Sequence, residues 1–268
     1  FQTAGDQLTL LVTVVAPAKA PVTDLTAKDF KVQDGKQYVD VAAAKHATAP
    51  LSIVVVVENT RPAMGAAPRT RELRTSLRSF VDVIRAGSAD AKIGLFSDSP
   101  ASVPLVDLNA SPADLDDVIS QLTPSQAAGA LVEAVGEAAK VLSEVTAPRR
   151  AIVTMDLSAP DPTAPTVLHS IESTVFQSHA MLWCVSVSGS VPETPSRSVI
   201  LDYLTSATGG ERKMIVGASG LENQMKAIAN SLLSQYTLQI AQLPSDLKSL
   251  KIETPKGKAL VAGIVRLQ

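Results

Sequence analysis

Leu51-Ser-Ile-Val-Val-Val-Val-Glu-Asn-Thr60 is the stretch that decides the fold. Seven apolar or small residues, most of them β-branched, stop at an acid, an amide and a hydroxyl. A strand of a parallel sheet is covered on both faces, so it reads as a continuous apolar run and turns polar only where it leaves the sheet. Open α/β sheets bind ligands in the crevice outside that carboxyl end. Glu58, Asn59 and Thr60 are therefore the first candidate site residues.

Working outward, Leu73, Leu77, Phe80, Val81 and Ile84 recur at helical spacing and predict a helix over about 69–86. Strand-like runs follow at 90–97, 102–107, 150–155, 181–187 and 211–216, and Pro104 pushes the second of these to a sheet edge. Helices are expected from Ser111-Pro-Ala-Asp114 to about Leu122, over about 129–145, up to about Ser178, over about 196–207 and over about 219–234. Gly209-Gly210 is the stop signal of the fourth. Strands alternating with helices predict a Rossmann-like, doubly wound, mostly parallel sheet with helices on both faces over about 48–235.

The two ends read differently. Residues 7–15 form a β-rich run, Thr26 is placed to cap a single turn, and 30–33 and 37–42 flank Asp34-Gly35-Lys36 as a hairpin. Three further β-like runs close the chain at 236–242, 248–253 and 259–266. Neither the segment 1–47 nor the segment 236–268 has enough strands to be stable alone, so the two are expected to pair as a small antiparallel β unit.

Composition narrows the function classes. The 268 residues carry 24 basic and 26 acidic side chains, a net charge of −2 spread along the chain, which is not the basic footprint of a nucleic-acid binder. Aromatic residues are only 3%, too few for base-stacking platforms. Apolar runs are of strand length, short of the ~20 residues a membrane span needs, so no membrane insertion is expected. The single cysteine, Cys184, sits in a strand-like run and reads as a buried thiol. The chain opens on Phe1 rather than Met, read as trimming by signal cleavage or at an expression boundary.

Several stretches, taken in order, resemble a von Willebrand factor type A (VWA) domain, and more closely the bacterial von Willebrand factor A-related proteins with a β-rich unit before and after it. They are Leu25-Thr-Ala-Lys-Asp-Phe30 with Asp34-Gly35-Lys36, the strand ending at Glu58, Ile93-Gly-Leu-Phe-Ser97, Gly129-Ala-Leu-Val-Glu-Ala134, Ala207-Thr-Gly-Gly210, and Ile228-Ala229 with Gln235-Tyr-Thr-Leu238. The resemblance implies an adhesion or protein-binding module, secreted or in the cell envelope, without catalysis. Members with a metal-ion-dependent adhesion site (MIDAS) carry Asp-x-Ser-x-Ser after the first strand, a Thr in a later loop and an Asp after the fourth strand. Mg²⁺ is small, hard and octahedral, and such hydroxyls, carboxylates and waters suit it.

Mapped onto this chain, the first Asp position is Glu58 and the first Ser position is Thr60, and both keep an oxygen. The second Ser falls at Pro62 or Ala63, the loop Thr at Gly129 and the later Asp at Met155, with Asp156 one place on. A one-residue shift at a strand end turns a side chain to the other face, which counts against Asp156. The expected site is thus degenerate, with no metal or other cofactor. Glu58 would bond to neighbouring backbone, and Arg61 is placed to pair with Glu58 or Asp156 in place of the ion. The alternative is divalent-metal-dependent ligand binding, with Mg²⁺ held by Glu58, Thr60 and Asp156.

Other chemistry lacks its motif. His46, His169 and His179 have no ligand spacing, no phosphate loop follows the central strand, and no Gly-x-Ser-x-Gly elbow occurs. Ser186-Val-Ser-Gly-Ser190 reads as a turn. The expected function is a non-catalytic interaction module that docks an unidentified protein on the face around Glu58, Asn59, Thr60, Arg61, Gly129 and Asp156. Pro100, Pro104, Pro124 and Ala127-Ala128 would form its low-charge rim.

Overall fold

In the computed structural model, which describes residues 8–16, 20–60, 67–98, 104–125, 129–157, 161–188, 194–240 and 250–264, the deciding stretch forms strand β5 (Leu51–Val57), with every residue buried. It lies inside a six-stranded sheet. In spatial order the strands are β10 (Arg212–Val216), β9 (Met181–Ser188), β8 (Arg149–Asp156), β5, β6 (Lys92–Ser97) and β7 (Pro104–Val106). The first five are parallel, and only β7 runs antiparallel at the edge, as Pro104 requires. The chain leaves β5 for β6 on one side and later enters β8 on the other. This change of direction opens the crevice at the carboxyl end of β5.

The apolar run of β5 conceals an alternation that only the two covers reveal. Leu51, Ile53, Val55 and Val57 pack against Leu73, Leu77, Phe80 and Ile84 of helix α1 (Ala67–Gly87), Leu115 and Ile119 of α2 (Pro112–Gln121), and Met225 and Leu232 of α6 (Leu221–Leu233). Val54 and Val56 pack against Leu131 and Val135 of α3 (Leu131–Ser143), Ile171 and Val175 of α4 (Leu168–Ser178), and Leu201 and Leu204 of α5 (Pro195–Ala207). Each such side chain contributes ~1.5–3 kcal/mol by leaving water, which is why an uncapped run of β-branched residues settles between two helical layers. Cys184 belongs to the second cluster, and burial pushes its thiol up to about 12, so it is inert packing.

The chain ends interleave in a second, wholly antiparallel sheet. Its order is β3 (Gln37–Val39), β2 (Lys31–Asp34), β12 (Leu250–Thr254), β13 (Gly257–Ile264), β1 (Leu8–Val15), β11 (Gln235–Ile240) and β4 (Val41–His46). One detail differs from the sequence reading. The run 37–42 is not one strand: β3 closes the hairpin through Gly35 at φ 59°, whereas β4 crosses to the opposite edge and pairs with β11. Thr26 is the N-cap of the single turn Ala27–Asp29, as expected, in a capping box with Asp29: its N–H and hydroxyl both donate to the Asp29 carboxylate and its carbonyl accepts the Asp29 N–H at 3.0 Å.

Arg149 ties the two sheets together from a buried position. It donates to Gln235 Oε1 at 2.7 Å, to the Ala49 carbonyl at 3.0 Å and to the Leu232 carbonyl at 2.6 Å, while Gln235 Nε2 donates to Thr13 Oγ1. Gly209 and Gly210 do more than stop a helix. A Cβ at 209 would lie 2.0 Å from the Val261 carbonyl and one at 210 would lie 1.8 Å from that of Leu182, so both backbones pass where no side chain fits.

Candidate functional site

The polar residues beyond β5 are not displayed on the surface. Glu58, Asn59 and Thr60 are 1%, 4% and 1% exposed, Asp156 is fully buried, and Gly129 is buried as well. They form the floor of the crevice rather than its contact surface. Arg61, Pro62 and Ala63 lie outside the described residues, as do Pro100 and Ala127-Ala128 of the expected rim.

Asn59 acts as a latch among three segments. Its N–H donates to Asp98 Oδ1 at 3.1 Å, its Nδ2 to the Thr123 carbonyl at 3.2 Å, and its Oδ1 accepts from the Ser97 hydroxyl at 2.6 Å. Its carbonyl accepts from Ser125 N–H at 2.7 Å. The ends of β5 and β6 and the segment after α2 are thereby held in one arrangement.

Glu58 and Asp156 face each other across the gap between β5 and β8, bridged by a residue the sequence reading passed over. Arg197, in the first turn of α5 and 2% exposed, donates from Nη1 to Glu58 Oε1 at 2.8 Å and from Nη2 to Asp156 Oδ1 at 2.6 Å. The other Glu58 oxygen accepts from Leu157 N–H. The other Asp156 oxygen accepts from the Ser186 hydroxyl at 2.8 Å and pairs with Arg212 at 3.5 Å. Arg212 also donates to Ser186 Oγ at 2.8 Å and pairs with Asp202 at 3.2 Å.

This arrangement corrects two expectations. Asp156 is not turned away: Val57 is in register with Met155, so the next residues on each strand, Glu58 and Asp156, come side by side on the same face. Among the described residues the cation that bridges the two acids is Arg197; Arg61, expected in that place, lies outside them. Ser186 lies within β9, not in a turn, because the strand runs on to Ser188. One signal for Arg197 was present in Thr194-Pro-Ser-Arg197: a helix N-terminus disfavours a cation in its first turn, so an arginine there implies an acidic neighbour elsewhere in the fold.

Gly129 and Asp98 exchange space. A Cβ at 129 would lie 2.3 Å from Asp98 Oδ2 and 3.1 Å from Thr60 Cγ2, so the carboxylate at the end of β6 fills the place that a threonine would take. Gly129→Ala is expected to cost about 1–3 kcal/mol by overpacking, and Asp98→Ala in the same chain to recover much of that loss. Urea melts of the two single variants and the double variant check the coupling. Asp161, also missed from sequence, caps α3 from outside: Oδ2 accepts from Val132 N–H at 3.1 Å and Oδ1 from Thr163 N–H at 2.9 Å. It supplies the negative charge that a helix N-terminus favours and that the N-cap residue, Ala130, lacks.

Burial dominates the electrostatics. It pushes Glu58 up to about 7 despite Arg197, with the neighbouring Asp156 and Asp98 charges adding to the rise. It pushes Asp98 up to about 6 against the Asn59 N–H and the Arg197 charge. For Arg197 burial acts to lower the pKa, but the Glu58 and Asp156 charges outweigh it and the guanidinium stays charged. Among the described residues no group of three or more His, Cys, Asp or Glu side chains is arranged to hold a metal ion. The gap beneath α5, lined by Val132, Asp161, Thr163, Leu168, Ser196 and Arg197, is too tight for a water molecule.

No protein-family model matches the sequence, and no curated protein matches it. Solved structures do match. A von Willebrand factor type A protein from Catenulispora acidiphila superposes with a TM-score of 0.57 at 9% identity, over 98% of this chain and 74% of that one. Proximal thread matrix protein 1 from the mussel byssus, with a zinc-occupied MIDAS motif, superposes with a TM-score of 0.54 at 14% identity, over 72% of this chain and 48% of that one. The vWF domain of the type V pili tip protein Mfa5 from Porphyromonas gingivalis gives 0.51 at 10% identity, over 69% of this chain and 96% of that one. With its mixed sheet between two helical layers and its separate antiparallel sheet, the chain has the von Willebrand factor type A fold.

Proposed function

We propose that this chain is a non-catalytic protein-interaction module of the VWA type that works without a metal ion in the adhesion-site position. One observation carries the reading: the Arg197 guanidinium sits between Glu58 and Asp156, two acids on the strands that would supply carboxylates to a metal. A charged fork with two donors satisfies both carboxylates at once, as a divalent ion would, and needs no exchangeable ligand. Gly129 brings no ligand atom, and Thr60 is the one hydroxyl retained near Glu58 among the described positions of the mapped motif. The residues present therefore fit Mg²⁺ poorly, since that ion demands a near-octahedral oxygen shell.

The docking surface would be the rim above this locked floor, and the buried residues would set the rim's geometry. The fold neighbours, a pilus tip protein and a byssal thread protein, support an adhesive role in a secreted or envelope setting. A hydrolase is the weaker reading. His46 shares a groove of about 140 Å³ with Ser88 and Asp90, but its Nε2 is bonded to the Leu233 carbonyl at 2.7 Å, and no hydrogen bond joins it to Ser88 among the described residues.

Thermal melts with Mg²⁺, with Mn²⁺ and with EDTA test the metal-free reading, because a ligand that binds only the native state raises the midpoint. Superimposable curves are expected. A divalent-dependent rise that disappears in Glu58→Ala would overturn it.

A further inference from the structure

Thr60 and Asp98 each bury a polar atom that has no hydrogen-bond partner among the described residues: Thr60 Oγ1 and Asp98 Oδ2. The residues are 1% and 0% exposed. Both side chains close on the flank of Gly129, where one added carbon would come within 2.3 Å of Asp98 Oδ2 and 3.1 Å of Thr60 Cγ2. An unpaired buried hydroxyl or carboxylate oxygen is costly, and native proteins rarely leave two on side chains that flank the same residue.

The charges around the pair are unbalanced. Arg197 is engaged by Glu58 and Asp156, and Arg212 by Asp156 and Asp202. Asp161 spends its carboxylate on two backbone N–H groups. Asp98 has one backbone N–H on Oδ1 and no ion pair among the described residues. A single carboxylate beside a neutral hydroxyl carries too little charge for a divalent ion, especially near a guanidinium. It does match a hard monovalent cation, which takes oxygen ligands and leaves the local charge neutral.

We infer that Asp98 and Thr60 form a site for a monovalent cation, Na⁺ or K⁺, held beside Gly129 and separate from the Glu58–Arg197–Asp156 bridge. The ion would use Asp98 Oδ2 and Thr60 Oγ1, complete the charge balance of the floor, and stiffen the ends of β5 and β6 that Asn59 latches together. The donor set differs from the MIDAS set in that its carboxylate comes from the end of the second strand. The inference does not depend on what docks above.

The test is the thermal midpoint at pH 8 in NaCl, KCl or choline chloride at equal concentration, so that ionic strength is constant. Na⁺ or K⁺ is expected to raise the midpoint saturably over choline, by on the order of 5 °C at a hundredfold excess over Kd. Asp98→Asn, which keeps the shape and removes the charge, should abolish the difference. Thr60→Val should weaken it, and decides the matter if Asp98→Asn fails to fold. Glu58→Gln should retain it. Equal midpoints in all three salts, or a difference that survives Asp98→Asn, would overturn the site. Because the probes are monovalent, this failure is distinct from that of the metal-free reading, which is tested with divalent ions and Glu58→Ala.

Discussion

Arg197→Met is expected to lower the thermal midpoint by about 10 °C or more, the largest effect of any single change at the crevice. Methionine keeps most of the arginine's volume, so the loss is not that of a cavity. The substitution removes the cation that bridges the buried Glu58 and Asp156, of which Asp156 keeps Arg212, and breaking a buried pair in this way costs ~3–5 kcal/mol. At this chain length each kcal/mol corresponds to roughly 2–4 °C. The deficit should shrink as pH falls, because Glu58, already raised by burial, can then take a proton in the variant. Arg197→Lys should recover only part of the loss, since one ammonium cannot donate along two fixed directions to carboxylates on two strands. A urea-melt loss below about 1 kcal/mol for Arg197→Met would show that the bridge does not organise the floor.

A second large effect concerns pH, and its sign is opposite to that of most carboxylates. Burial holds Glu58 at about 7 and Asp98 at about 6, against ordinary values of 4.5 and 3.8. Between those limits the native state binds more protons than the unfolded chain. Stability is therefore expected to fall as pH rises from about 4 to about 7, by a few kcal/mol, and to level off above. The groups that set this balance are Arg197 and Arg212 on one side and Glu58, Asp98, Asp156 and Asp161 on the other. Urea melts from pH 4.5 to 8 on the wild type, Glu58→Gln and Asp98→Asn check it: each variant should flatten part of the slope. A wild-type stability that climbs through this window would be incompatible with burial raising the pKa of both acids.

Much of the fold was legible because it rests on local pattern. The apolar run of β5, the helical spacing of Leu73 to Ile84, the Asp34-Gly35 turn and the Pro104 edge signal each report a requirement met within a few residues. The candidate site was legible in part. Glu58 and Thr60 announced themselves by following a buried strand. Asp156 was misjudged because a linear mapping counts residues, whereas the sheet pairs Val57 with Met155 and sets Glu58 beside Asp156. Asp98 and Asp161 carried no motif, because their roles are to fill the space beside Gly129 and to cap a helix 29 residues away in sequence.

The sequence by itself determined the layered α/β architecture, the pairing of the two chain ends and the polar terminus of the central strand, since periodicity and turn chemistry act over short range. Only the tertiary structure decided what that terminus does. Arg197 lies 139 positions from Glu58; its place in a helix's first turn implies an acidic neighbour, but nothing local names Glu58 or encodes their 2.8 Å approach. That contact exists because α5 packs across β9 and β10, bringing its first turn over the strand ends. There a buried pair of acids requires a positive charge, and the chain supplies one of its own.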